Sequence, residues 1–112
     1  MIIYHNPRCR KSRETLALIE AHGVEPQIVK YLETPPDADT LRSILKKLGI
    51  PAAQLIRKSE AIYKELFKGK SLEENEWIAA MVEYPKLIER PIVIKGDQAV
   101  LGRPPEQVER LF

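Results

Sequence analysis

The sequence predicts a single α/β domain, residues 1–112, built on a mixed four-stranded sheet with a helical insertion. Three observations lead to this prediction. A strand, a helix and a second strand follow one another in the first 31 residues, which is typical of a βαβ unit. A block of helical patterns then occupies about residues 37–84. Two short runs rich in β-branched and aliphatic residues flank Gly96-Asp97 near the end, and they indicate an antiparallel hairpin.

The first unit begins with a short buried strand at Ile2–Tyr4. A helix is predicted over Ser12–His22, with an apolar side and Gly23 as its terminator. The Ile- and Val-rich segment Gln27–Tyr31 predicts the second strand.

The insertion starts after two prolines, where Asp37 is a candidate N-cap. Apolar residues then recur at the spacing of one helix face, and Gly49 ends that helix; they are Leu41, Ile44, Leu45 and Leu48. Pro51 can start a short helical turn that reaches Ile56.

Two further helices are predicted before Pro85. Ser59 is the candidate cap of the first. Ser71 and Glu74 have the form of a capping box for the second. The apolar stripe of this second helix consists of Trp77, Ile78, Met81 and Val82.

The last third supplies the hairpin strands Pro91–Lys95 and Gln98–Leu101, and then a short closing helix that holds Val108 and Leu111. A right-handed βαβ crossover followed by an antiparallel hairpin gives a mixed four-stranded sheet with helices on its faces. This is the thioredoxin-like architecture, here with a helical insertion.

Composition excludes several classes of function. The formal net charge of +2 is too small to predict nucleic-acid binding on bulk electrostatics. No apolar run approaches membrane-spanning length, and the N-terminus lacks the pattern of a signal peptide. We therefore expect a cytoplasmic protein without a membrane partner, and we expect a monomer, since no large exposed apolar patch is indicated.

The chain has one cysteine, Cys9, between the first strand and the first helix. A disulfide within the chain is therefore impossible, and no metal site is predicted. At a helix N-terminus, unpaired backbone N–H groups and the helix dipole favour a thiolate. A lone cysteine is more often a small buried hydrophobe, but this position favours a reactive thiol.

Several neighbours could stabilise that thiolate. Positive charge comes from Arg8, Arg10 and Lys11, and it should lower the thiol pKa. Ser12 could donate its hydroxyl hydrogen to the sulfur. His5 could tune Cys9 electrostatically or could simply pack in the loop, and the sequence leaves both alternatives open. Without a second thiol in the chain, reduction of an oxidised Cys9 requires a partner thiol such as glutathione or a glutaredoxin.

Three arginines have turn-like neighbours, and they are Arg57, Arg90 and Arg103. The planar fork of an arginine suits a tetrahedral oxyanion, because it donates paired hydrogen bonds. Taken singly, each is more often a solvated surface residue. Spacing along the chain does not make them converge.

The chain resembles the glutaredoxin-dependent arsenate reductases over nearly its full length, and a short branch of that family in particular. His5-Asn6-Pro7-Arg8-Cys9 with Ser12 is similar to the family's nucleophile loop. Tyr31–Pro36 is similar to its second-strand exit. Segments around its three oxyanion arginines match Leu55–Lys58, Glu89–Val93 (with a proline that is cis in this fold) and Leu101–Pro104.

The resemblance implies a mechanism and its partners. Cys9 would attack arsenate or a related oxyanion held by Arg57, Arg90 and Arg103. Glutathione would act as co-substrate on the resulting adduct, glutaredoxin would resolve the intermediate, and arsenite would leave. The resemblance implies no metal and no bound cofactor. Basic residues around Cys9 depart from the best-characterised members, where smaller or neutral residues stand.

Two alternatives remain at this point. One is a glutathione-linked thiol-disulfide oxidoreductase with another substrate, in which the same thiolate would act. The other is an Spx-like transcription regulator that binds RNA polymerase. Such regulators commonly carry a Cys-x-x-Cys pair at the first loop, whereas Asn6 stands three residues before Cys9 here.

Overall fold

The four strands of the sheet all lie in one of two units into which the chain divides. The computed structural model describes residues 1–112; the first unit comprises Met1–Thr34 and Arg90–Phe112, and the second comprises Pro35–Glu89. The strands are β1 (Ile2–His5), β2 (Gln27–Lys30), β3 (Ile92–Lys95) and β4 (Gln98–Leu101). Their order is β2-β1-β3-β4, which is the mixed thioredoxin-like sheet that the sequence predicts.

Register places small aliphatic residues opposite one another at the centre of this sheet. Ile3 of β1 pairs with Ile28 of parallel β2 and with Val93 of antiparallel β3. The hairpin of β3 and β4 pairs Val93 with Val100. Gly96 supplies the positive φ, 60°, that the tight turn between these strands requires.

Helix α1 (Arg10–Ala21) and a 3-10 helix at Pro105–Leu111 cover this sheet. Helix α1 begins two residues earlier than predicted, directly after Cys9. The buried core of the unit is an aliphatic cluster made of Ile3, Ile19, Val93, Val100, Val108 and Leu111. Burial of these side chains fixes the helix against the strands and therefore fixes the loop between β1 and α1.

The second unit contains four helices, α2 (Ala38–Leu48), α3 (Ala52–Leu55), α4 (Ala61–Leu66) and α5 (Glu74–Glu83), followed by a 3-10 turn at Pro85–Leu87. Helix α2 confirms the prediction at both ends. The Asp37 side chain accepts a hydrogen bond of 2.8 Å from the backbone N–H of Thr40, and Gly49 closes the helix in the left-handed conformation. No helix of the structure combines the length and the hydropathy needed to cross a bilayer.

Two predicted caps in this unit are wrong. Ser59 does not cap α4, which begins after Glu60, because residues 57–60 form a turn in which the Glu60 N–H donates to the Arg57 carbonyl at 3.2 Å. Ser71 does not cap α5, whose capping box joins Glu73 and Glu76.

The apolar stripe predicted for α5 is also only partly right. Trp77, Ile78 and Met81 are buried, as predicted, but Val82 is exposed. The helix thus presents a narrower apolar face to its unit than the sequence pattern indicates.

Candidate active site

Cys9 occupies the N-cap position of α1. Its backbone is extended, with φ −92° and ψ 122°, and its carbonyl accepts the first helical hydrogen bond, from the Arg13 N–H at 3.0 Å. The Cys9 N–H itself donates to the Asn6 carbonyl at 3.0 Å, which closes a tight turn over residues 6–9. The first-turn N–H groups of α1 have no partner within the helix, so they are available to the sulfur.

Opposing influences act on the Cys9 thiol, and the net result is a pKa below its ordinary value. Partial burial raises the pKa of Cys9, but the backbone N–H of Ser12, a hydrogen bond and the charge from Arg90, and the backbone N–H of Lys11 all lower it. These donors stabilise the thiolate, so the thiolate fraction at neutral pH is increased. Cys9 therefore has the setting of a reactive thiol rather than that of a buried hydrophobe.

Ser12 acts on the sulfur through its backbone, not through its hydroxyl. The buried Oγ lies 2.6 Å from Nδ1 of His5 and accepts a hydrogen bond from the Asn6 N–H at 3.1 Å. The expected hydroxyl-to-sulfur bond is thus replaced by bonds that hold the loop together.

His5 is buried at the end of β1, beside this serine. Burial, followed by the charges of Lys30 and Arg13, lowers the pKa of His5. A lowered pKa favours the neutral imidazole, and Nδ1 of its Nε2-protonated tautomer accepts the Ser12 hydroxyl hydrogen. His5 therefore packs and orders the loop, which is one of the two alternatives that the sequence left open.

Arg10 lies away from the sulfur, contrary to its predicted role in stabilising the thiolate. Its Nε pairs with the Glu14 carboxylate at 2.9 Å, one helical turn on, and 85% of its side chain is exposed. Arg8 and Lys11 are also exposed, and Lys11 reaches Cys9 only through its backbone N–H. These side chains point into solvent although their backbones are close to Cys9, so they lower the thiol pKa less than their positions in the sequence suggested.

Arg90 and Arg103 lie on neighbouring segments of the first unit. The Arg103 guanidinium donates to the Arg90 carbonyl at 3.1 Å. The Gly102 N–H donates to the Pro91 carbonyl at 2.9 Å, and each arginine precedes a cis-proline. Together with the bond from Arg90 to Cys9, these contacts place Arg90 at the thiol and tie the Arg103 segment to it.

Arg57 lies in the second unit, in a setting of its own. Its backbone N–H donates to the Leu87 carbonyl at 2.7 Å. Its guanidinium forms ion pairs with Glu60 at 3.4 Å and with Glu89 at 3.7 Å. The roles of Arg57, Arg90 and Arg103 as oxyanion ligands stay predictions.

The chain is similar to proteins of one family over nearly its full length. The model of the ArsC family matches residues 4–111. The chain belongs to the ArsC family. It is 59% identical to the uncharacterized protein YfgD of Escherichia coli K12 over 95% of this chain and 91% of that protein. It is 50% identical to the arsenate reductase of Haemophilus influenzae over 96% and 95% of the two chains.

A solved structure of another relative shares the architecture of this ArsC family member. The arsenate reductase from Vibrio cholerae superposes with a TM-score of 0.95 at 51% identity, over 99% of this chain and 96% of that one. The predicted family and the predicted fold are thereby confirmed.

Two features of this ArsC site have no counterpart among the predictions from sequence. Arg90 was predicted only as an oxyanion ligand, and its hydrogen bond to Cys9 has no local signal, because the two residues lie in distant parts of the chain. The buried Asn6 accepts from the Arg8 N–H at 3.0 Å through Oδ1 and shapes the turn before Cys9. The Asn6-Pro7 dipeptide is a turn signal that could have indicated this role.

Proposed function

We propose that this ArsC family member is a cytoplasmic, monomeric arsenate reductase that uses Cys9 as its nucleophile. One observation carries the proposal: Cys9 lies at the N-cap of α1, where two backbone N–H groups and the Arg90 guanidinium lower its pKa. Such a thiolate beside an arginine can attack an oxyanion, because the cation offsets the repulsion between the two negative charges. The names of the Haemophilus and Vibrio relatives support arsenate as that oxyanion.

The first step forms a covalent adduct. The Cys9 sulfur bonds to arsenic, one arsenic–oxygen bond breaks, and the oxygen leaves as water after it takes up protons. Arg90 and Arg103 donate hydrogen bonds to the remaining oxygens, and we assign the same task to Arg57. Arginine suits this task because its planar fork can bind two oxygens at once.

The electrons come from thiols outside the chain. Because Cys9 is the only cysteine, no internal disulfide can form. Glutathione forms a second sulfur–arsenic bond, with loss of another oxygen as water. A glutaredoxin thiolate then attacks the glutathione sulfur, and the electron pair of the broken sulfur–arsenic bond stays on arsenic. Arsenic is thereby reduced by two electrons, and water displaces arsenite from Cys9.

This sequence of steps involves no metal and no bound cofactor. Its need for a pool of small reduced thiols is the reason that we assign the protein to the cytoplasm.

The experiment is arsenite production from arsenate by the purified protein, with glutathione, glutaredoxin and NADPH-coupled recycling. We expect turnover that requires glutaredoxin and that is lost in Cys9→Ser, because a hydroxyl is a poor nucleophile in this setting. Alanine in place of Arg57, Arg90 or Arg103 should raise the arsenate concentration for half-saturation. Unchanged kinetics in all three variants would show that they do not form the oxyanion site.

The same assay separates the alternatives. Absence of arsenate reduction, combined with a reactive Cys9 that reduces small glutathione disulfides, would indicate a thiol-disulfide oxidoreductase. A stoichiometric complex with RNA polymerase in a pull-down would indicate an Spx-like regulator instead.

A further inference from the structure

Three charged side chains line one cavity beside the Cys9 loop, and they are Arg8, Lys30 and Glu33. The cavity has a volume of about 290 Å³ and lies wholly within the first unit. Leu32, which is 40% exposed, and residues 5–7, at the end of β1 and in the turn that follows, complete its lining. Its size falls at the lower end of the range for small-ligand pockets, roughly 300 Å³ upwards.

None of these three charges is used in an ion pair within the protein. Ion pairs elsewhere engage Arg10, Arg42 and Arg57, but none involves Arg8, Lys30 or Glu33. Lys30 and Glu33 line the same cavity and yet form no salt bridge with each other. Two cations and one anion are therefore available to a ligand in the cavity.

The position of the cavity links it to the nucleophile. Arg8 directly precedes Cys9, and the hydrogen bond from the Cys9 N–H to the Asn6 carbonyl, 3.0 Å, closes the turn that forms one wall. A ligand in the cavity would therefore contact the same loop that carries the thiolate.

We propose that this cavity is the subsite for the attacking thiol, a small peptide with two carboxylates and one ammonium group, which are the charges of glutathione. The inference rests on the proposed function, in which glutathione attacks the Cys9 adduct. Arg8 and Lys30 bind the two carboxylates, Glu33 binds the ammonium group, and Leu32 contacts the methylene chain. The match is charge for charge, and a simple anion would not need Glu33.

Binding can be measured without catalysis. S-methylglutathione, which cannot react, is titrated into the full chain while backbone amide signals are followed by NMR. We expect shifts concentrated at residues 6–8 and 30–33. Lys30→Gln and Glu33→Gln should each weaken binding about two- to fivefold, as exposed ion pairs do. Arg110→Gln removes the same charge as Lys30→Gln from the same unit but outside the cavity, and it should leave the affinity unchanged.

Inorganic phosphate is the second probe. Glu33→Gln should weaken S-methylglutathione but tighten phosphate, because it removes a group that attracts the ammonium and repels an anion. Weaker binding of S-methylglutathione in Lys30→Gln together with no effect of Glu33→Gln would indicate a plain anion site and overturn the proposal. Absence of binding, or shifts elsewhere in the chain, would also overturn it.

Kinetics distinguish failure of the subsite from failure of the proposed function. If arsenate is reduced with glutathione but Lys30→Gln leaves the KM for glutathione unchanged, the subsite is wrong and the proposed function stands. If S-methylglutathione binds as expected but arsenate is not reduced, the proposed function is wrong, and the cavity stands only as a binding site for glutathione.

Discussion

Replacing Gly102 by alanine tests the packing that holds both arginine segments of the first unit. A Cβ at this position would lie 2.7 Å from Cγ of Pro91 and 3.0 Å from Cγ2 of Thr15, and closer still to the Thr15 hydroxyl. Carbon atoms in favourable contact are about 3.5–4.0 Å apart, so the overlaps are roughly 0.5–1.3 Å. Thr15 and Pro91 are both buried.

The overlap cannot be relieved by a simple side-chain rotation. Thr15 is β-branched, and its hydroxyl donates to the Lys11 carbonyl at 2.8 Å, while Pro91 is a ring fixed in the backbone. Overpacking of this kind costs about 1–3 kcal/mol, and we expect the upper part of that range. For a chain of this length, 1 kcal/mol corresponds to a fall in Tm of roughly 4 °C. Gly102→Ala should therefore lower Tm by about 8–12 °C.

The assay is urea and thermal unfolding followed by circular dichroism. Gly23→Ala is the matched control, because Gly23 has a φ of 78° but nothing within 4 Å of its Cβ position. It should cost only the penalty of holding a side chain in the left-handed conformation, about 1–2 kcal/mol. Thr15→Ala should cost less in the Gly102→Ala background than in the native chain, since it removes part of the overlap. Equal losses in the two glycine variants, or additive effects with Thr15→Ala, would refute the reasoning.

Three further predictions concern the thiol, the loop and the second unit. Arg90→Gln should slow alkylation of Cys9 by iodoacetamide at pH 7 about three- to tenfold, because the thiolate loses a charge-assisted hydrogen bond. The expected factor is modest because solvent screens part of that interaction. The lowered pKa of His5 means that the unfolded chain binds its proton first, so the free energy of unfolding should fall as pH drops below about 6.5. Glu89→Gln should lower the arsenate concentration for half-saturation about two- to fivefold, because it removes a carboxylate 3.7 Å away that competes for Arg57.

Each of these predictions has its own contradicting result. Arg10→Gln, which removes a charge next to Cys9 in sequence but paired with Glu14, should leave the alkylation rate unchanged. An equal slowing in this variant would mean that net charge, not contact, lowers the thiol pKa. If His5→Gln shows the same loss of stability between about pH 7 and pH 5 as the native chain, another group is responsible. If Glu89→Gln raises the half-saturating arsenate concentration, Glu89 orients an arginine rather than competing for it.

Elements with complete local signals were predicted best. Helix α2 has an apolar spacing, an N-cap at Asp37 and a left-handed Gly49, and the structure contains all three. The hairpin around Gly96 was likewise predicted from local residues. In both cases, each signal concerns residues within a few positions of one another, so no tertiary contact needed to be known.

The start of α5 shows why other boundaries were mispredicted. The sequence offered Ser71 and Glu74 as a capping box, but the Glu74 carboxylate accepts hydrogen bonds from the Ala52 N–H at 3.0 and 3.1 Å. Glu74 therefore accepts a hydrogen bond from the first residue of α3, which lies 22 residues earlier in the chain. Glu73 is the N-cap residue of α5 instead. A contact between helices decided the outcome, and no local pattern contains that information.

At the candidate site too, the local features were predicted and the contact between distant parts of the chain was not. The place of Cys9 at a helix N-terminus is a local property, and it was predicted. The backbone N–H groups that favour its thiolate were predicted with it, but the charged partner was not, because the sequence pointed to the cations beside Cys9, whereas the structure uses Arg90. Arg90 was among the candidate site residues, but it was assigned to the oxyanion alone.

There is a chemical reason for so few charges at the sulfur. Lowering a thiol pKa increases the thiolate fraction only until the pKa reaches the ambient pH, while nucleophilicity keeps falling, with a Brønsted coefficient of about 0.4–0.5. Additional contacts from Arg8, Arg10 and Lys11 would lower the thiol pKa further, and with it the intrinsic nucleophilicity of the thiolate. Arg90 differs from Arg8, Arg10 and Lys11, because it donates a hydrogen bond to the sulfur. In the proposed reaction, the same guanidinium can donate to the oxyanion when negative charge moves from the sulfur to the oxyanion oxygens. In the proposed reaction, one arginine at the sulfur, with the other cations exposed to solvent, therefore stabilises the thiolate while preserving more of its nucleophilicity than several cations would.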